Sequence, residues 1–421
     1  MTNQAEGPAE AHLSRRLTLG DAVIIGLGSM IGAGIFASFA PAAGAAGAGI
    51  LVGLLVAGCV AFCNATSSAQ LAAQYPTSGG TYVYGRERLG PWPGFFAGWS
   101  FVIGKTASSA AMAITFATYA VGGPWAKPVA ILAVIALTIV NTLGITRTAM
   151  LTRVLVAISL VALTVAVIIG FTHTSASASQ PGTTVTLYGT LQSAGFLFFA
   201  FAGYARVATL GEEVVNPRRT IPRAITTALT ITLIVYALVA ISALHALGPA
   251  GLASASAPLR AVADSTGVAW PGVVIRIGAA TAALGALLAM IAGIGRTTLA
   301  MARNRDLPVW LSAVHPRFKV PHRAELALGL IVCILIAVTD LRSAIGFSSF
   351  GVLLYYFVAN ASAWTQERRD RRYPRFLAVA GAIGCVVLVA TLPWTSIVAG
   401  IAVLIVGVAY RAARLWFAAR G

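Results

Sequence analysis

The chain has 421 residues, 58% hydrophobic and only 10% charged, with a formal net charge of +17. Soluble domains carry about 25% charged residues, so this composition excludes a globular enzyme with a single anchor and predicts an all-α integral membrane protein. The basic excess lies mainly between apolar spans rather than on one basic segment, which argues against nucleic acid as a partner and for the lipid bilayer.

Residues 1–16 form a polar tail that ends in Arg15 and Arg16, without a secretory signal pattern. Apolar windows of about 20 residues then predict about twelve transmembrane helices. They fall at 18–45, 48–74, 93–122, 126–145, 150–171, 188–212, 222–247, 269–302, 325–340, 343–365, 374–392 and 394–415. The first span is weakened in its middle by Gly26, Gly28, Gly32 and Gly34. A bilayer punishes unpaired backbone groups, so such a break predicts a segment lining a protein cavity. Its freed N–H groups suit an anion and its freed carbonyls a cation, and a zwitterion such as an amino acid presents both.

The third span contains Lys105, far from either predicted end. A charge at that depth is a functional candidate; the bland alternative is a snorkelling or carbonyl-bonded lysine. The sixth span carries a second, weaker break at Phe198-Phe199-Ala200-Phe201-Ala202-Gly203-Tyr204. It lies five spans after the first, and an odd offset inverts orientation, as in inverted repeats. Arg206 follows it and pairs with Glu212 or Glu213 or lines the inner vestibule; Glu212 and Glu213 are expected to make gate or loop ion pairs. Asn216-Pro217 and Ile221-Pro222 stop one helix and start the next. Span eight has no hydroxyl through Gly285-Ala286-Leu287-Leu288-Ala289-Met290, which weakens a sodium site there. Ser348-Ser349 on span ten either face the cavity or bond backbone carbonyls. Cys59, Cys63, Cys333 and Cys385 all fall in apolar stretches and are expected to be buried packing residues.

With the N-terminus placed in the cytoplasm, most of the 29 Lys and Arg residues fall in inner loops. Lys127, Arg260 and Arg342 fall outside, and Lys105, Arg206, Arg276 and Arg296 within spans or at their edges. This bias predicts a multi-pass protein of the cell membrane with both termini cytoplasmic.

Four motifs, in order, carry a resemblance. They are Gly32-Ala33-Gly34-Ile35-Phe36; Tyr75-Pro76-Thr77-Ser78-Gly79-Gly80-Thr81-Tyr82; Gly211-Glu212-Glu213 running through Asn216-Pro217-Arg218 to Ile221-Pro222-Arg223; and Ala300-Met301-Ala302-Arg303 through Leu307-Pro308 to His315-Pro316-Arg317-Phe318. Together the chain resembles amino acid permeases of the amino acid–polyamine–organocation superfamily, near the cationic amino acid transporter branch. The resemblance implies a leucine-transporter-like fold with a 5+5 inverted repeat: a first repeat over 17–172, a second over 188–365, and two further helices over 374–415. It implies that a substrate carboxylate meets N–H groups near Gly32, Ala33 and Gly34. The substrate ammonium meets carbonyls near Met30, Phe199 and Ala202, beside Gly203, and Phe199 serves as an aromatic gate. Many relatives carry a lysine on the fifth span; here that position is Ser159, and Lys105 either replaces the missing ammonium as a proton carrier or pairs with an acidic substrate side chain.

The function expected is secondary active transport of an amino acid by alternating access, with proton coupling. Exchange without proton coupling is the alternative, and a non-transporting amino acid sensor ranks lower. No Walker-type G-x-x-x-x-G-K-[ST] run, catalytic nucleophile–base pair or metal cluster is visible, and no cofactor is implied.

Overall fold

The computed structural model describes residues 17–75, 79–144, 149–174, 183–208 and 214–420, and these are helical throughout apart from their connections. In a bilayer the helix is the element that satisfies every backbone donor and acceptor within one segment. Thr18 starts the first helix with a capping box: its hydroxyl accepts from the Asp21 N–H at 3.3 Å and Asp21 accepts from the Thr18 N–H at 3.0 Å. The first expected span is built from α1 (Leu19–Met30), α2 (Ala33–Ala37) and α3 (Phe39–Ala46). Gly47, at φ +53, lets the chain turn into α4 (Ile50–Gln74). A short helix not expected from hydropathy, α5 (Thr81–Leu89), precedes α6 (Pro91–Ala120), α7 (Ala126–Thr142) and α8 (Ala149–Thr172). Arg153 on α8 forms an ion pair with Asp21, closing α8 onto the start of α1.

The second half opens with α9 (Leu187–Phe201), a 3₁₀ turn at Ala202–Tyr204 and the short α10 (Ala205–Ala208). There follow α11 (Pro217–Ser254, kinked at Gly248), α12 (Pro258–Asp264), α13 (Ala269–Arg303) and α14 (His322–Val338). The chain ends with α15 (Leu341–Trp364), α16 (Arg375–Thr391) and α17 (Trp394–Ala418).

Among the described residues, 9 helices are long and apolar enough to cross a membrane. The other three expected spans are shorter helices: α9 with 15 residues before its 3₁₀ turn, and α14 and α16 with 17 each. The apolar outer faces of α7, α8 and α17 remain exposed, as lipid-facing surfaces do; Leu132, Val161 and Val406 are examples. Cys59 corrects its own expectation: it sits exposed on α4, because it lies on the outward face of that helix. Cys385 is buried and donates to Asn64 Oδ1 at 3.5 Å.

The most extensive helix pairing is between α6 and α15. It is allowed by Gly104 and Gly351, which bring the two backbones together as small residues do in membranes. A methyl on Gly351 would stand 2.7 Å from both Gly104 Cα and Ser100 O. Gly351→Ala is therefore expected to cost about 1–3 kcal/mol by overpacking, seen as a lower melting temperature of the purified protein; an unchanged melting temperature would mean the pair yields freely.

One polar knot ties the last helix to the rest. After α13, Asp306 is buried at 1% exposure. It accepts from the Tyr82 hydroxyl at 2.8 Å and from Arg86 Nη1 at 3.0 Å on α5. Arg411 Nη1 of α17 lies 2.9 Å away on the other carboxylate oxygen, and its guanidinium covers the rings of Trp92 and Phe95 at 4.8 Å.

Candidate functional site

The helix of the first span stops at Met30. Ile31 (ψ 53) and Gly32 (φ −105, ψ −144) leave helical space, and α2 restarts at Ala33 without a side-chain cap. The N–H groups opening α2 and the carbonyls closing α1 therefore meet at one point, with opposite partial charge. The opposing helix breaks more gently. From Ala202 to Tyr204 it tightens to a 3₁₀ turn, which shifts which carbonyls are paired.

The two breaks are pressed together. A methyl on Gly203 would stand 2.1 Å from Ser29 O, and one on Gly34 would stand 2.5 Å from Ala200 Cα. Tyr236 of α11 bridges them: its hydroxyl lies 2.6 Å from Met30 O and 3.1 Å from Ala200 O. On the other side, Ala202 O accepts from Tyr356 of α15 at 3.3 Å and from Lys105 Nζ of α6 at 3.2 Å. Lys105 is buried at 4% exposure, and Ala202 O is the acceptor its ammonium nitrogen reaches.

A small cavity opens between the breaks. Its lining includes Ser29 through Gly34 apart from Ile31, together with Lys105, Ser108, Met112, Phe199, Ala200, Gly203 and Met290. The space open to a water's centre is about 10 Å³, room for about one water. At the far end of α2, Tyr119 of α6 donates to Phe36 O at 3.0 Å and accepts from the Leu259 N–H of α12 at 3.3 Å, tying α2, α6 and α12 together.

The sequence-derived set is distributed as follows. Met30, Gly32, Ala33, Gly34, Phe199, Gly203 and Lys105 line the cavity, and Ala202 adjoins it through its carbonyl. Ser159 stands apart, buried on α8 and donating to Leu155 O of its own helix at 2.8 Å. Arg206 is half-buried on α10; Glu212 and Glu213 lie outside the described residues. Ser348 shares a hydrogen bond with Ser108 at 2.5 Å. Hydropathy overlooked Tyr236, Tyr356, Met112 and Met290. A tyrosine in the middle of an apolar span is a usable signal, because its buried hydroxyl needs a partner.

The sequence profile described as "Amino acid permease" matches residues 17–417. A Mycobacterium tuberculosis protein described as an uncharacterized transporter is 59% identical over 399 residues, covering 94% of this chain and 90% of that protein. The branched-chain amino acid permease of Bacillus subtilis is 25% identical over 429 residues, covering 94% and 92%. The chloroplastic cationic amino acid transporter 7 of Arabidopsis thaliana is 29% identical over 380 residues, covering 83% of this chain and 65% of its own length.

Proposed function

Because the chain belongs to the amino acid permease family, we propose that it is a secondary active transporter that carries an amino acid across the cell membrane by alternating access and performs no covalent chemistry. The observation that carries this reading is the meeting of two broken helices across one buried cavity, with backbone donors from α2 on one side and acceptors from α1 and α9 on the other. The substrate carboxylate is held by the N–H groups of Gly32, Ala33 and Gly34. Its ammonium is held by the carbonyls of Met30, Phe199 and Ala202, with the Phe199 ring as gate. The two repeats span 17–172 and 188–365, with 374–415 appended, and both termini lie in the cytoplasm.

Transport is proton-coupled, and Lys105 is the carrier. Its nitrogen occupies one of the acceptors assigned to the substrate ammonium, Ala202 O, so gain or loss of its proton is felt at the binding site. Ser159, packed into its own helix, has no ionisable group to offer. The alternative is exchange without proton coupling.

The experiment is uptake of a labelled amino acid panel into proteoliposomes with and without an inward proton gradient. Gradient-stimulated uptake is expected in the wild type, with the stimulation lost in Lys105→Gln and the order of preferred substrates kept. Counterflow alone, without stimulation, means an exchanger. Normal gradient response in Lys105→Gln removes Lys105 from coupling.

A further inference from the structure

The cavity wall speaks to the side chain of the substrate rather than to its backbone. The groups that hold carboxylate and ammonium are common to every amino acid, so selection falls to the remaining lining. Among the described residues that lining has one charged residue, Lys105, and no carboxylate. A cationic side chain would enter a buried space already holding an ammonium, with no acid to pair with.

Each polar lining side chain already makes at least one hydrogen bond. Lys105 donates to Ala202 O at 3.2 Å. Ser29 donates to Ile25 O at 2.8 Å. Ser108 is bonded to Ser348 at 2.5 Å and lies 3.2 Å from Gly104 O. The remaining Lys105 N–H groups and the serine lone pairs are the polar side-chain contacts the described lining has left to offer, and none of its residues presents a carboxylate to a cationic side chain. Beyond the glycines, Ala33 and Ala200, the rest of the wall is Met30, Met112, Met290 and Phe199, an apolar surface in which the thioethers re-pack easily.

We propose that the cavity between α1–α2 and α9 selects neutral amino acids with aliphatic or thioether side chains and rejects cationic ones. This assignment rests on the transport reading given under Proposed function. Met112 and Met290 form the adaptable wall that contacts the side chain, and the lack of a pairing carboxylate among the described lining residues supplies the rejection.

The test is counterflow in proteoliposomes of the full-length wild-type protein, preloaded with unlabelled leucine and challenged with labelled leucine plus a competing amino acid. Valine, isoleucine and methionine are expected to suppress uptake at concentrations at least about 100-fold below those needed for arginine or lysine, the scale set by leaving one buried polar group unpaired. Arginine or lysine competing within tenfold of leucine, or exchange driven by glutamate, overturns the assignment and leaves the transport reading standing. Absence of exchange with any of the proteinogenic amino acids, each tested also as the preloaded substrate, overturns both.

Discussion

Gly203→Ala is expected to lower transport by about 100-fold while leaving a protein that still reaches the membrane. The added methyl would stand 2.1 Å from Ser29 O, 2.4 Å from Ser29 C and 2.7 Å from Met30 N. All three are backbone atoms of the α1 break, so no side chain can swing aside. Relief requires the α9 break to back away from α1. Overpacking of this kind costs about 1–3 kcal/mol, and the upper end of that range corresponds to about 100-fold in a rate. The displacement falls on Ala202, whose carbonyl holds both Lys105 and Tyr356. Initial uptake rate, normalised to the amount of folded protein in the vesicles, is the measurement. Wild-type rates would show that the two breaks are not held in this contact during the cycle.

Asp306→Ala is expected to destabilise the fold by about 3–5 kcal/mol, the cost of stranding a buried partner charge. Asp306 and Arg411 are nearly inaccessible, at 1% and 3% exposure, and Arg411 is sandwiched against Trp92 and Phe95. Without the carboxylate its guanidinium stays in that aromatic slot with its compensating charge gone. Tyr82 and Arg86 lose their acceptor at the same time, so α5 and α17 both loosen from the loop after α13. Thermal unfolding of the purified protein reads the effect. The double variant Asp306→Leu/Arg411→Met should recover a large part of the loss, since hydrophobic replacement of a buried pair is often close to neutral. A single variant as stable as wild type would mean that water reaches Arg411.

The two breaks were unequally visible in the chain. The first is dense in glycine, and Gly32 does adopt a conformation outside helical space. The second has Gly203 alone, and its departure is only a 3₁₀ turn; what makes it a break is Ser29 pressing on Gly203 from another helix. The knot at Asp306 was invisible for a related reason. Asp306 is one residue in a polar loop by sequence, and its importance comes from Tyr82, Arg86 and Arg411, which lie far from it along the chain. By sequence Arg411 is one basic residue near the end of the last span, whereas it is among the most buried charges of the described residues.

Apolar length and glycine placement were enough to read a multi-span helical membrane protein and the position of the first break, and four short motifs were enough to read the family. The reason is local: a bilayer demands helices of a given length, and a helix interior penalises glycine wherever it lies. Rotation and tilt of each helix are set instead by where small residues let neighbours approach, such as Gly104 against Gly351. That packing turned Lys105 toward Ala202 O and left Ser159 on its own helix. It also brought Tyr236 and Tyr356 to the freed carbonyls and lined the cavity with methionine rather than with acid.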